Sequence, residues 1–386
     1  MNILIIHNYY SQRGGEDAVF ENESKALENL GHNVIRYSRN NIEIDYYNFF
    51  KKITFIFSIF GNKKTVNDIK KIIDENNIEI AHIHNIFPLI STSVYKILKK
   101  NNIKIVQTIH NYRFFCINAF FYRNDKNCML CAGGNYIFGL VFRCFKRSYI
   151  LSALYSFIIA LNQKIFRDYI NGYISLTGFT KNLFTKYGYK KEKFFIKDNG
   201  FIDNNIRRKK SAGYFLFLGR ISREKGIIFL LDFFKEFNQY KLIIAGTGNN
   251  IENYKKSYNS SNIIFTGYIE GDRKNQLIQE AEALILPSVW YENYPVSIVE
   301  SFCCGIPVIA SNTGGIPYII ENGKNGFLFE VNNKVILKEK IDKIYRNNDL
   351  RDQMGNNARN TYLKKMEMHN NIKKLADIYE KVKNEK

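Results

Sequence analysis

The chain reads as an α/β protein of two Rossmann-like lobes, parallel sheets facing across a cleft. Three observations predict this. Strand-sized apolar runs alternate with helix-sized amphipathic ones, first over residues 3–109 and again from residue 214, the pattern of a doubly wound parallel sheet. A polar, basic stretch at 203–211 separates the two alternations and reads as the linker. Residues 283–310 spell a βαβ unit by themselves: an apolar strand, a helix opened by Pro295 in its first turn and closed by Gly305, and a second apolar strand. At 386 residues there is length for two sizeable cores. We expect the first lobe over 1–203, the second over 204–366, and a last helix, 367–386, packed back on the first.

In order, residues 3–7 form the first strand, an apolar run too short and without the basic leader of a signal peptide. Gly14-Gly15 loops into a helix over 16–30, stopped by Gly31, and 34–37 is the second strand. A basic, aromatic insertion from Phe49 to Lys64 precedes a helix at 66–76, then strands at 78–84 and 103–109. Between Phe114 and Arg167 the alternation breaks into loops and amphipathic helix, and strands resume at 173–176 and 194–197. The second lobe places strands at 214–218, 241–245 and 263–265, a helix at 226–237, and helices at 334–347, 350–365 and 369–383.

Lys and Arg number 56 against 36 Asp and Glu, a net charge of +20. Such an excess favours anionic partners. Nucleic acid is disfavoured because no binding motif for it is present; phosphorylated ligands and an anionic membrane face remain. Arg143, Lys146 and Arg147 share one helical face before the apolar segment 148–161, an arrangement suited to a membrane surface and equally to a core helix of the first lobe. That segment is shorter than the roughly 20 residues that span a bilayer. The protein is expected to be cytoplasmic, soluble or peripheral on the inner face of the membrane. Six cysteines without an export signal argue against structural disulfides. Four of them, Cys116, Cys128, Cys131 and Cys144, fall in one loop-rich stretch with a C-x2-C pair, which suits either a structural zinc or packed thiols.

The chemistry gathers where strands of the second lobe end. Unpaired amides at the start of the helix after Pro295 suit a diphosphate, Glu292 lies just outside that helix, and Glu300, a turn and a half further in, can hold ribose hydroxyls. Arg220 and Lys225 stand on the loop after the strand at 214–218, a guanidinium fork and a point charge for a departing diphosphate. Gly246 and Gly248 permit close backbone approach, and Thr266 to Tyr268 can meet the edge of a base. Taken alone, each segment is also an ordinary α/β connection with solvated charges.

Together, Gly-Arg-x5-Gly, Ala-Gly-Thr-Gly, Thr-Gly-Tyr, Pro-Ser-x3-Glu-x7-Glu and Gly-Ile-Pro-Val-Ile-Ala-Ser-Asn-Thr-Gly-Gly stand in the order and spacing of a known family. The chain resembles the family-4 retaining glycosyltransferases of GT-B fold, the glycosyl transferases group 1, over residues 214–329, and in the first lobe through Gly14-Gly15-Glu16 and Thr108 to Arg113. The resemblance implies a sugar moved from a nucleoside diphosphate, UDP- or GDP-linked, to a saccharide or polyprenyl-diphosphate-linked acceptor, in capsule, O-antigen or exopolysaccharide synthesis. It implies His110 and Glu292 at the reaction centre, and Gly14, Gly15, Arg220, Lys225, Gly246, Tyr268, Asn293, Tyr294, Pro295, Val296 and Glu300 on the donor. Glu16, His7, His84 and Arg113 fall on the acceptor side, and no catalytic metal is expected. Two positions depart from the family: Asn293-Tyr294 replaces the usual Gly-Phe pair, and Asn111 replaces an Asp. The alternatives are a sugar-nucleotide epimerase of the same architecture and a non-catalytic polyanion binder.

Overall fold

The computed structural model describes residues 1–11, 14–48, 50, 55, 61–203 and 205–385. They form two compact units: 1–120 with 129–200 and 368–386, and 121–128 with 201–367. Most of the insertion that begins at Phe49 lies outside the described residues.

The strands of the first unit are β1 (Asn2–Tyr9), β2 (Asn33–Asn40), β3 (Ile80–Ile83) and β4 (Lys104–Ile109). A small hairpin, β5 (Tyr122–Arg123) and β6 (Lys126–Asn127), groups with the second unit, and β7 (Gly172–Ser175) and β8 (Phe194–Ile196) complete the first. The sheet is parallel, in the order β2-β1-β3-β4-β7-β8. Its central strands are buried on both faces, which is why they read as unbroken apolar runs. Helix Gly15–Asn29 turns Asp17, Phe20, Ser24 and Leu27 inward at helical spacing. Phe20 and Leu27 meet Ile3, Ile5, Ile80, Val106 and Ile174 in one core, and Ile372, Leu375 and Ile378 of the terminal helix Met368–Asn384 join them. The order reverses between β1 and β3, so the carboxyl ends of these strands flank the crevice where ligands sit in such sheets.

The second unit carries β9 (Tyr214–Leu218), β10 (Lys241–Ala245), β11 (Ile263–Gly267), β12 (Leu284–Leu286), β13 (Val308–Ser311) and β14 (Gly326–Phe329). They run parallel in the order β11-β10-β9-β12-β13-β14, the dinucleotide-fold order, with its switch point between β9 and β12. Phe215, Phe217, Leu230, Phe234, Ile244 and Ile285 are core residues of this unit.

The stretch between β4 and β7 differs from expectation. Its helix runs Tyr149–Asp168, 20 residues, past the end of the apolar segment, and is long and apolar enough to cross a membrane. Ser152, Tyr155, Ile158, Ile159, Asn162, Ile165 and Phe166 are nevertheless buried in the first unit, while Tyr149, Ile150, Phe157 and Leu161 are exposed. Arg143, Lys146 and Arg147 do not share a helical face. They lie in turns ahead of that helix, exposed, each in the left-handed region at φ 47°, 49° and 56°, and the Arg143 guanidinium sits 5.1 Å over the Tyr149 ring.

Candidate functional site

In the second unit the loops after β9 and β12 come together at the switch point. Gly226 has φ 73°, and a Cβ there would stand 1.9 Å from the Pro287 carbonyl oxygen, so only glycine lets the two loops lie this close. The approach sets Lys225 Nζ 2.6 Å from Glu292 Oε1, and Ser288 Oγ donates to the same oxygen at 2.6 Å. The Trp290 ring is 5.5 Å from that ammonium. Glu292 is buried, and its carbonyl oxygen accepts from Gly315 N at 2.6 Å. Gly314, at φ 58°, has no room for a side chain, because a Cβ would lie 2.4 Å from the Glu292 carbonyl oxygen. The acid is thus fixed from two sides before any ligand arrives.

The helix after it spans Val296–Cys304, with Pro295 as its N-cap and not inside its first turn, and no side chain caps the end. Its leading amides suit an anion. Asn293 and Tyr294 are buried beside Glu292. Glu300 accepts from Lys274 Nζ at 2.8 Å, and Arg220 reaches Glu224 at 2.6 Å. Gly246 N donates to the Gly267 carbonyl at 2.8 Å, joining the ends of β10 and β11; Tyr268, largely exposed, donates to Glu270 at 3.1 Å. The structure therefore gathers Lys225 with Glu292, and gives Arg220 and Glu300 acidic and basic partners of their own. Ser288 and Lys274 were not singled out from sequence. Ser288 stands inside the Pro-Ser-x3-Glu motif, so its part in holding Glu292 was available there; Lys274 lies in a short polar helix, Gly271–Gln279, with no pattern to mark it.

In the first unit the histidines converge at the ends of β1, β3 and β4. His84 Nδ1 and His110 Nε2 are 3.0 Å apart, and His7 Nε2 lies 2.6 Å from Asp17 Oδ1. Asp17 Oδ2 also accepts from the amide of Gly14, the N-cap of helix Gly15–Asn29, at 2.8 Å. Burial pulls His82 and His84 well below the usual imidazole range and pushes His110 down to about 3, so all three are neutral near pH 7. Burial raises the carboxyl of Glu16, which Asn111 Nδ2 approaches at 3.5 Å. His84, His110, Asn111 and Arg113 line a cavity of about 700 Å³ of empty volume, part of it open to solvent, with Phe114 and Tyr155 among its apolar walls. Arg113 lies 3.9 Å over the Phe87 ring. His7 and Glu16 are not among its lining residues.

The four cysteine sulfurs do not gather within 4.8 Å of one another among the described residues. Among the described residues, the one group of three or more His, Cys, Asp or Glu side chains with ligand atoms within 4.8 Å of one another is Glu23, His82 and His84. All six cysteines are thiols and not disulfides. Cys116 donates to Asn118 at 2.9 Å, Cys131 belongs to an apolar cluster against which Cys144 packs, and Cys128 follows the hairpin that groups with the second unit. Closeness in sequence did not become convergence of sulfurs.

Residues 198–361 match the family model described as glycosyl transferases group 1. An uncharacterized glycosyltransferase of Methanocaldococcus jannaschii is 25% identical over 390 residues, covering 99% of both chains. The UDP-Gal:alpha-D-GlcNAc-diphosphoundecaprenol alpha-1,3-galactosyltransferase of Escherichia coli is 25% identical over 184 residues, 44% of this chain and 46% of that one. Among solved structures, Anabaena HepE in complex with UDP superimposes with a TM-score of 0.72 at 14% identity, covering 99% of this chain and 100% of that one. The fold is the GT-B arrangement of two Rossmann-like domains.

Proposed function

We propose, from the match of residues 198–361 to the glycosyl transferases group 1, that the chain is a retaining glycosyltransferase using a nucleoside-diphosphate sugar. The observation that carries the reading is the Lys225–Glu292–Ser288 group, with Glu292 and Ser288 buried and Lys225 partly so, seated at the switch point of β9 and β12 beside an uncapped helix N-terminus. Lys225, Arg220 and the amides of Val296 and Ser297 would hold the diphosphate, Glu300 the ribose, and Glu292 the sugar. The bond from the anomeric carbon to the diphosphate oxygen breaks with its electron pair going to the diphosphate. The acceptor hydroxyl bonds to the same face of that carbon, and its proton passes to the departing phosphate. Preorganised charge at the leaving oxygen lowers this barrier most.

The first unit is assigned to the acceptor, a saccharide or a lipid-linked saccharide, with Arg113 and His84 at its cavity. The exposed face of helix Tyr149–Asp168, beside Arg143, Lys146 and Arg147, supports docking on an anionic membrane face. A role in capsule or O-antigen assembly fits the galactosyltransferase relative. A panel of UDP- and GDP-sugars, each assayed for thermal shift and for transfer to polyprenyl-diphosphate sugars, tests the proposal. One donor should stabilise the protein, by about 2.7 kcal/mol at 100 times its Kd, and yield a product of unchanged anomeric configuration. An inverted product overturns retention, and no stabilisation by any nucleotide sugar overturns the donor site.

A further inference from the structure

The first unit holds a buried chain of polar groups that ends on His110. Glu23, 2% exposed, comes from helix Gly15–Asn29, and Lys197, 1% exposed, follows β8; its Nζ donates to Glu23 Oε1 at 2.6 Å. A charge pair this deep persists only when both members are well held. The other carboxylate oxygen, Oε2, faces His84 Nε2 at 3.6 Å, a charge contact longer than a hydrogen bond, and neither atom has a hydrogen-bond partner among the described residues. His84 Nδ1 then meets His110 Nε2 at 3.0 Å, the rings stacked at 5.2 Å and 19°.

Glu23, His82 and His84 are close enough to ligate a metal ion, but two facts speak for a different use. His82 is engaged on both nitrogens, by Tyr379 Oη and Thr108 Oγ1, each at 2.7 Å. The Lys197 ammonium already places a positive charge on Glu23. The group is an ion-paired network, and what it determines is where the imidazole protons lie.

A neutral imidazole donates from one nitrogen and accepts at the other, whereas a carboxylate only accepts. Glu23 therefore asks for a hydrogen on His84 Nε2. His84 Nδ1 is then bare and accepts from His110, which must carry its hydrogen on Nε2. That leaves His110 Nδ1 as a lone pair, without a partner among the described residues, on a ring that lines the cavity.

We propose that Lys197, Glu23 and His84 are positioning residues that fix His110 as its Nε2–H tautomer, so that Nδ1 accepts a hydrogen bond from a hydroxyl of the bound sugar. A carboxylate that orients a functional histidine through its second nitrogen is a general device. The inference rests on the reading of His110 as a substrate-contacting residue, but its first test does not depend on activity. In the intact protein labelled with ¹⁵N in the histidine rings, with His110 assigned through His110→Gln, Nε2 should be protonated and Nδ1 bare. A protonated Nδ1 in the parent protein overturns the proposal. The double variant Glu23→Leu/Lys197→Met removes both charges together and strands neither. Its His110 should lose the tautomer preference, and kcat should fall on the order of 10- to 100-fold with nucleotide affinity held. Parent-like ring shifts and kcat in a folded double variant also overturn it. Absence of transfer from every nucleotide sugar would defeat the glycosyltransferase reading while leaving the ring measurement to decide this one.

Discussion

Lys225 and Glu292 form an ion pair at 2.6 Å in the site proposed for the diphosphate. An ammonium has three donors, so Lys225 can keep Glu292 and still contact a diphosphate oxygen, gaining strength as that oxygen collects charge. Arg220, about half-exposed, is paired with Glu224 at the surface. Lys225→Met or Arg220→Met should each lower kcat on the order of 100-fold or more, the usual size for one preorganised donor to a developing charge. Glu300→Gln should instead raise KM for the donor, because a ribose contact is alike in ground and transition states. Isothermal titration and steady-state kinetics separate the two, and near-parent kcat in both cationic variants defeats the donor assignment. At this scale the motif residues were legible, since each sits at a strand end that sequence could locate. The partners were not. Glu23 and Asp17 fall on the same inward stripe of helix Gly15–Asn29 as Phe20 and Leu27, and charges on a core-facing stripe are a signal that sequence does hold; Lys197 and Lys274 meet their acids only through the fold.

Elements with strong apolar periodicity were readable almost to their ends, β9 and β10 among them, because burial on both faces dictates their composition. Two of the helices missed have little to bury, whereas Ser93–Lys100 was missed although Val94, Tyr95 and Leu98 are buried. Ile251–Ser257 has no buried residue and Gly271–Gln279 has one, Ile278, so no stripe marks them; Gly178–Lys186 begins with a glycine behind a Thr177 cap, which reads as loop. Helix Tyr149–Asp168 was missed in length because its second half mixes Asn, Gln, Lys and Arg with buried Ile165 and Phe166. Its exposed Tyr149, Ile150, Phe157 and Leu161 are far more apolar than a solvated face requires. With three exposed bases in the turns before it, each contributing on the order of 1 kcal/mol at an anionic surface, this element should bind phosphatidylglycerol vesicles at low salt and release them as salt rises. Arg143→Gln/Lys146→Gln/Arg147→Gln should abolish sedimentation with vesicles and leave nucleotide binding intact. Unchanged sedimentation of the triple variant removes the membrane role from this segment.

Over the whole molecule, the two-unit division was legible as two alternations of strand and helix, while the grouping of residues 121–128 with the second unit was not, because a four-residue hairpin leaves no pattern. The histidines are divided far more unevenly than the chain. All six histidines, at 7, 32, 82, 84, 110 and 369, belong to the first unit, and the single tryptophan, Trp290, to the second. Burial lowers His32, His82, His84 and His110 in the folded chain, whereas unfolded imidazoles titrate near about 6.5. Below that pH the unfolded first unit binds protons that the folded unit refuses. Its stability therefore rises with pH through this window and is lost as pH falls from about 6.5 toward the folded values, by up to about 1.4 kcal/mol per pH unit for each of the buried His82, His84 and His110 and by less for the more exposed His32. Glu16, whose carboxyl burial raises, acts in the opposite sense and is outnumbered. The lowered carboxylates, Glu43, Asp68 and Glu79 of the first unit and Asp203, Glu321, Glu339 and Asp342 of the second, act only beneath the ordinary carboxylate range of about 4. Urea unfolding at pH 5 should then show circular dichroism, which reports both units, departing from its baseline before Trp290 fluorescence, which reports the second. At pH 7.5 the gap should narrow. A separation that is absent, or the same, at both pH values would mean that the buried histidines do not set the acid limit of the first unit.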